Sequence, residues 1–137
     1  MKVEPYLMFD GRCQEALDFY RKSIGAEVTG LMRFKECPEP KMCPAGSGEK
    51  VMHASFRVGD TTLMASDGRC EGRPNFQGIS LTISVPDTAK AQRLFAALSD
   101  GGKVQMPLTK TFYSPLFGMV ADRFGVSWMI LTEAPRK

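Results

Sequence analysis

Several features are scarce or missing in this chain of 137 residues, and each shortage excludes a class of protein. No apolar run approaches the roughly 20 residues that cross a bilayer. Residues 1–5 also lack the apolar run of a secretory signal peptide. We therefore expect a cytoplasmic protein with no membrane partner.

Clustered charge of either sign is missing as well. The 18 basic and 15 acidic residues are spread along the chain and leave a net charge of +3. Because nucleic-acid binding needs a concentrated basic patch, no nucleic-acid partner is expected.

Cysteine occurs four times, at Cys13, Cys37, Cys43 and Cys70. Without an export signal, these residues are expected to be free thiols in a reducing compartment rather than a disulfide framework. Cys37 and Cys43 are spaced more widely than the cysteines of common zinc knuckles. A metal site of Cys37, Cys43 and His53 is an alternative that this spacing does not favour.

What the sequence does contain is a repeated order of elements. In the first half, the apolar periodicity predicts a strand, a helix that ends at Gly25, and three more strands, the last two joined by a turn at Gly59-Asp60. The strands are predicted at 6–9, 26–34, 51–58 and 61–66, and the helix at 13–24.

The second half predicts the same order, with Asp87 as the helix N-cap and Gly101 after the helix. The strands are predicted at 79–85, 103–110, 112–121 and 126–132. An offset of 76 residues aligns Phe19 with Phe95 and Gly25 with Gly101. One helix cannot cover a whole sheet alone, so the halves should pack together. We predict one domain, 1–137, built from module one, 1–72, and module two, 73–137.

Motifs in both halves resemble the vicinal oxygen chelate superfamily of glyoxalases, extradiol dioxygenases and bleomycin-resistance proteins. Together they are similar to its PhnB-like branch. The resemblance implies an α+β fold in which two βαβββ modules form cupped mixed sheets, the glyoxalase-like fold. The motifs are Leu17-Asp18-Phe19-Tyr20, Ile24-Gly25-Ala26-Glu27, Met52-His53-Ala54, Leu63-Met64-Ala65-Ser66-Asp67 and Asp122-Arg123-Phe124-Gly125.

Proteins of this branch have often been labelled as demethylubiquinone methyltransferases. A Rossmann-type methyltransferase binds its nucleotide-derived cofactor at a glycine-rich turn between a strand and a helix. The first such turn here is Asp10-Gly11-Arg12-Cys13, which does not support that activity.

Metal-dependent members of the superfamily bind their metal through one side chain from the first and last strand of each module. The resemblance places these four positions at Pro5, Met64, Ser80 and Met129. None is a usual ligand of a catalytic divalent metal, because such sites use imidazole, carboxylate or thiolate donors. We therefore expect no metal and no other cofactor.

The sheet itself can still form a binding cleft. Strand alternation places His53, Ser55 and Arg57 on one face of their strand and the apolar set with Phe56 on the other. A concave surface of mixed polarity suits a small molecule. The predicted ligand-binding residues are His53, Ser55, Arg57, Met64, Ser66, Ser80, Thr82, Tyr113 and Met129, and no catalytic residue is assigned.

Individual side chains have two interpretations each. His53 is either a base or anion contact in the cleft or a strand histidine bonded to backbone. Arg57 either binds a carboxylate or phosphate or forms a solvated ion pair at the rim. Cys13 and Trp128 are predicted to be buried as packing residues.

The leading hypothesis is a PhnB-like protein that binds a small organic ligand without the usual metal site. One alternative is a metal-dependent lyase, isomerase or dioxygenase with a noncanonical site at His53, Cys37, Cys43 and Asp67. Another is a resistance protein that sequesters a drug. A homodimer is expected because each sheet would otherwise expose its edges.

Overall fold

The computed structural model describes residues 1–36, 48–68, 75–112 and 114–133. They belong to two compact units, Met1–Pro74 and Asn75–Lys137. The predictions for Cys37, Cys43, Cys70 and Tyr113 fall outside the described residues. In the part of the chain that is described, no helix is both long and apolar enough to cross a membrane.

The first unit is a four-stranded mixed sheet with one α-helix. Its strand order is β1-β4-β3-β2, in which β1 and β4 are parallel and the other pairs are antiparallel. The elements are β1 (Tyr6–Met8), α1 (Cys13–Ile24), β2 (Glu27–Arg33), a 3-10 turn (Phe34–Glu36), β3 (Val51–Val58) and β4 (Thr61–Ser66).

Helix α1 packs its apolar side on the sheet. Leu17 and Tyr20 are fully buried, and the Tyr20 ring stacks on Phe56 of β3 with centroids 5.9 Å apart. Burying a side chain of this size contributes about 1.5 to 3 kcal/mol. The helix ends at Gly25, whose φ of 70° lies in the left-handed region that glycine adopts without strain.

The second unit repeats this design. Its strand order, β5-β8-β7-β6, again places one parallel pair, β5 with β8, at an edge. The elements are β5 (Leu81–Val85), α2 (Thr88–Ser99), β6 (Lys103–Thr109), β7 (Phe117–Ala121) and β8 (Ser127–Thr132).

Helix α2 begins where the sequence predicted. The Asp87 carboxylate accepts a hydrogen bond from the backbone N–H of Ala89 at 2.8 Å, which satisfies one of the free donors at the helix start. Gly118 lets the helix approach, because a Cβ there would lie 2.8 Å from the Phe95 ring and 2.9 Å from Leu108. Trp128 is 2% exposed, so its predicted place in the core is confirmed.

The predicted fold class is confirmed, as α+β with two mixed sheets in βαβββ order. The largest error concerns one strand, which was predicted at 112–121 and begins only at Phe117. Ser114 forms a turn there: its hydroxyl lies within hydrogen-bond distance of the carbonyls of Leu116 and Thr132, which share its one proton, and its carbonyl accepts from Thr111 N–H. Pro115 follows this turn.

Candidate functional site

Each sheet has a face against its helix and an opposite face of half-exposed side chains. In β3, Ala54 and Phe56 are fully buried, whereas His53 and Ser55 are half-buried and Arg57 is exposed. The predicted alternation along this strand is therefore confirmed. We call the face with His53, Ser55 and Arg57 the first open face.

Three polar side chains on the first open face form a hydrogen-bonded chain. The Tyr6 hydroxyl lies 3.0 Å from His53 Nδ1, and His53 Nε2 lies 3.4 Å from the Ser55 hydroxyl. The Tyr6 and His53 rings are also in contact, with centroids 5.7 Å apart. Both imidazole nitrogens thus face a hydroxyl, which can donate or accept. His53 is held by side chains, not by the backbone bond of the alternative interpretation.

Tyr6 is a functional candidate that the sequence interpretation missed. It lies on β1, directly opposite Met64 of β4, and Met64 lies opposite Ser55 of β3. Strand alternation alone could have placed Tyr6 on either face. The deciding information is the register of the parallel pair, which depends on residues 58 positions apart in the sequence.

Arg57 lies beside this chain and forms an ion pair with Glu27 of β2. Its Nη2 is 2.8 Å from Glu27 Oε2, and the two side chains are 51% and 66% exposed. The rim ion pair is the arrangement that the structure contains. A pair this exposed holds Arg57 only weakly, because solvent screens it.

The remaining predicted residues of the first unit differ in exposure. Met64 is half-buried in the middle of the open face. Ser66 is 4% exposed, and its hydroxyl donates to Val51 O and accepts from Gly68 N–H, so its polar atoms are already used by the backbone. Met8 and Met32 on the same face are 50% and 38% exposed.

The second unit has an equivalent face, which we call the second open face and define by Thr82 and Met129. The Thr82 hydroxyl contacts Met129 Sδ at 3.8 Å. Ser80 donates to the Ser127 hydroxyl at 2.8 Å, and Ser127 donates to Gln105 at 3.3 Å. The predicted residues Ser80, Thr82 and Met129 are therefore neighbours on one surface.

The register shows which residues lie opposite the two methionines among the positions that the resemblance gave. Met64 is paired with Tyr6, not Pro5, and Met129 is paired with Thr82, not Ser80. The backbone explains the first shift, because the Pro5 carbonyl accepts from Met64 N–H just before β1 begins. The offset of 76 residues takes Tyr6 to Thr82, so both modules place a methionine opposite the same position.

The residues of these two pairs also do not fit a catalytic divalent metal. Tyr6 and Thr82 offer neutral hydroxyls, and Met64 and Met129 offer soft thioethers. Across residues 1–36, 48–68, 75–112 and 114–133, no group of three His, Cys, Asp or Glu side chains could hold a metal ion.

Asp67, which the metal alternative included, is a structural residue. It is 2% exposed, and its Oδ1 accepts from the N–H groups of Gly11 and Cys13 at 2.7 and 2.8 Å. Its Oδ2 accepts from Val51 N–H at 2.8 Å. The carboxylate thus joins the start of α1, the start of β3 and the end of β4.

Cys13 lies beside this carboxylate and is fully buried, as predicted. Burial, with the nearby Asp67 charge, raises the pKa of its thiol from 9.0 to about 12. A thiol that keeps its proton at neutral pH is a poor nucleophile. Cys13 therefore belongs to the core.

The raised pKa predicts a specific pH dependence. Above pH 9 the unfolded chain loses the Cys13 proton while the folded chain keeps it until about pH 12. The free energy of unfolding should then fall through this window, and the Cys13 contribution should be constant below it. Urea denaturation at pH 8 and pH 10 should show a loss about 1.4 kcal/mol larger for the wild type than for Cys13→Ala. Equal losses would contradict the assignment.

The family model described as 3-demethylubiquinone-9 3-methyltransferase matches residues 1–131. The chain belongs to this family. Protein YjdN of Escherichia coli is 33% identical over 95% of this chain and 94% of its own. The solved structure of PA1353 of Pseudomonas aeruginosa is 42% identical, with a TM-score of 0.87 over 97% of this chain and 98% of its own. The structure of PhnB of Bacillus cereus is 25% identical, with a TM-score of 0.80 over 96% of this chain and 99% of its own.

The fold is that of glyoxalase relatives. A glyoxylase/bleomycin resistance protein/dioxygenase domain from Frankia superposes with a TM-score of 0.68 over 98% of both chains, at 13% identity. The resemblance to the PhnB-like branch is confirmed by the family model and by the similarity to PhnB of Bacillus cereus.

The family's name refers to a methyltransferase, and two features of this structure do not fit a Rossmann-type cofactor site. The described strands form two mixed sheets, not a doubly wound parallel sheet. At the first strand-to-helix turn, Gly11 and Cys13 donate their N–H groups to Asp67. These are the donors that a cofactor phosphate or carboxylate would use at a helix start.

The open-face position of His53 and Arg57 predicts small effects on stability. Their replacement by alanine should each cost less than about 1 kcal/mol, because exposed ion pairs and surface hydrogen bonds contribute little. Thermal melts of His53→Ala and Arg57→Ala measure this directly. A decrease in melting temperature above about 8 °C would mean that the side chain supports the fold.

Proposed function

We propose that this protein binds a small organic molecule on the first open face, without a divalent metal. The single observation behind the proposal is the Tyr6–His53–Ser55 hydrogen-bonded chain on a half-exposed surface. A polar chain that only supported the fold would be expected inside it, with its members bonded to backbone.

The Tyr6–His53–Ser55 hydrogen-bonded chain gives a ligand one hydroxyl donor at one end and one hydroxyl acceptor at the other. If the Tyr6 hydroxyl donates to His53 Nδ1, the Nε2 proton points to Ser55, and the Ser55 hydroxyl proton is free for a ligand oxygen. The other imidazole tautomer reverses the pattern and makes the Tyr6 hydroxyl proton available. The site therefore suits a ligand that has both a donor and an acceptor, such as a hydroxycarbonyl or an amide.

The surroundings of the chain support an amphipathic ligand. Met8, Met32 and Met64 provide flexible apolar surface around it. Arg57 lies on the same strand two residues beyond Ser55, and its ion pair with Glu27 is exposed enough to exchange for a ligand carboxylate or phosphate.

A fragment screen against the full chain by NMR tests the proposal. We expect saturable binders whose affinity falls at least about tenfold, or about 1.4 kcal/mol, in Tyr6→Phe and Ser55→Ala. Ser99→Ala is the matched control, because its hydroxyl bonds only to Ala96 O at the end of α2. Binders that are equally tight in all three variants would contradict the site.

Two alternative functions share this fold, and they are distinguished by whether the protein turns its ligand over and whether it retains a metal. A drug-sequestering protein would bind its ligand here without turnover. A metal-dependent lyase, isomerase or dioxygenase would retain about one equivalent of a divalent transition metal after dialysis against a chelator. The donor chemistry at Tyr6, Met64, Thr82 and Met129 favours the metal-free binder.

We also propose a homodimer in the cytoplasm. The outer strands β1 and β2 of the first sheet, and β5 and β6 of the second, each have one partner strand in their own sheet. Unpaired edges of this kind are commonly covered by a second copy. The free thiol of Cys13 is consistent with a reducing compartment. Sedimentation at micromolar concentration should give twice the chain mass of 15.1 kDa, and a monomer would contradict the proposal.

A further inference from the structure

Methionine is concentrated on the two open faces. Of the nine methionines in the chain, six lie there, and three of these occupy a single row of the second sheet. Met106 of β6 pairs with Met119 of β7, and Met119 pairs with Met129 of β8. All three side chains are half-buried.

The row can bring three sulfur atoms together. Side chains directly opposite each other on antiparallel strands have Cβ atoms about 4.5 to 5.5 Å apart. Each Sδ is two bonds from its Cβ and moves when the side chain rotates about the Cα–Cβ and Cβ–Cγ bonds. The side chains of the two outer methionines can therefore lean toward Met119. Met129 Sδ is already on the surface, where the Thr82 hydroxyl contacts it at 3.8 Å.

Thioethers are neutral, polarizable donors that prefer soft cations to hard divalent ones. We propose that Met106, Met119 and Met129 bind a soft monovalent cation, Cu(I) or its redox-inert analogue Ag(I). This site uses residues of the second sheet alone, and the proposal does not depend on the ligand proposed for the first open face. Its three donors are all thioethers, whereas the pair Thr82 and Met129 combines a hydroxyl with a thioether.

The test is titration of the full chain with Ag(I), observed through carbon-13-labelled methionine methyl groups. Accessible cysteines are alkylated first, because thiolates bind soft cations more tightly than thioethers do. We expect the methyl signals of Met106, Met119 and Met129 to shift together and to saturate at one equivalent. The same titration with Cu(I) under anaerobic conditions should shift the same three signals.

Two variants make the result decisive. Met119→Leu removes the central sulfur donor at nearly constant side-chain volume, and such substitutions are well tolerated. It should weaken Ag(I) binding by at least about tenfold. Met129→Leu provides a second chance should the first variant fail to fold. Met52→Leu is the control, because Met52 lies in β3 of the first sheet and is not part of the row.

Three outcomes would overturn the proposal: no joint saturation of the three methyl signals, unchanged affinity in Met119→Leu, or equal losses in Met52→Leu. If the row is only flexible lining for an apolar ligand, Ag(I) will shift the methyl signals weakly and without saturation. That result also counts against a cation site.

Discussion

Replacing Asp67 by alanine should destabilise the protein by about 3 kcal/mol or more. The change leaves the buried backbone N–H groups of Cys13 and Val51, and the part-buried N–H of Gly11, without their acceptor. Each unsatisfied buried donor costs about 1 to 3 kcal/mol, and the costs are not additive. Urea denaturation should show a midpoint lower by about 1 to 2 M.

Two further variants separate this effect from a general loss of charge. Asp18→Ala removes a carboxylate that is half-exposed on α1 and should change stability by less than about 0.5 kcal/mol. Asp67→Asn retains one acceptor oxygen but turns an N–H donor toward other donors, so an intermediate loss is expected. If Asp67→Ala were as stable as Asp18→Ala, the carboxylate would not join the three segments as described.

The second large effect is expected for Asp122→Ala in the other unit. Asp122 is 3% exposed and accepts from the N–H groups of Phe124 and Val126 at 2.9 and 3.1 Å. Its Oδ2 accepts from Trp128 Nε1 at 2.8 Å. Replacing Asp122 removes the acceptor of three buried donors, two in the turn between β7 and β8 and the indole of Trp128 in β8, with an expected loss of about 3 kcal/mol.

The single tryptophan provides the measurement. Trp128 is the only indole in the chain, so its fluorescence reports the environment of this turn during denaturation. Trp128→Phe has no indole and is followed by circular dichroism instead; it should cost less than Asp122→Ala, because it removes one donor and leaves the two backbone bonds. Asp100→Ala is the control, since its ion pair with Arg123 is exposed and contributes at most about 1 kcal/mol. A fully stable Asp122→Ala would contradict the account.

Local patterns in the sequence were sufficient to predict most of the fold. Helix α1 and its end at Gly25, the Asp87 cap and the alternation along β3 all depend on residues a few positions apart. The strand that was predicted too long failed because the Ser114 turn is held by the carbonyl of Thr132, which lies 18 residues away.

The site could be predicted only in part, for the same reason. His53, Ser55 and Arg57 follow from the alternation of one strand. Tyr6 belongs with them only because β1 pairs with β4 in a register that no local pattern specifies. The buried role of Asp67 likewise depends on donors 16 to 56 residues away in the chain.

The most direct test of ligand binding on the first open face uses His53, the only histidine of the chain. Its two imidazole nitrogens give one unambiguous pair of nitrogen-15 signals, which can be followed while the tightest fragment from the screen is added. We predict that both signals shift and saturate at the same concentration as the backbone amides of 53–57. Saturable binding that leaves both imidazole signals unchanged and perturbs amides elsewhere would contradict it.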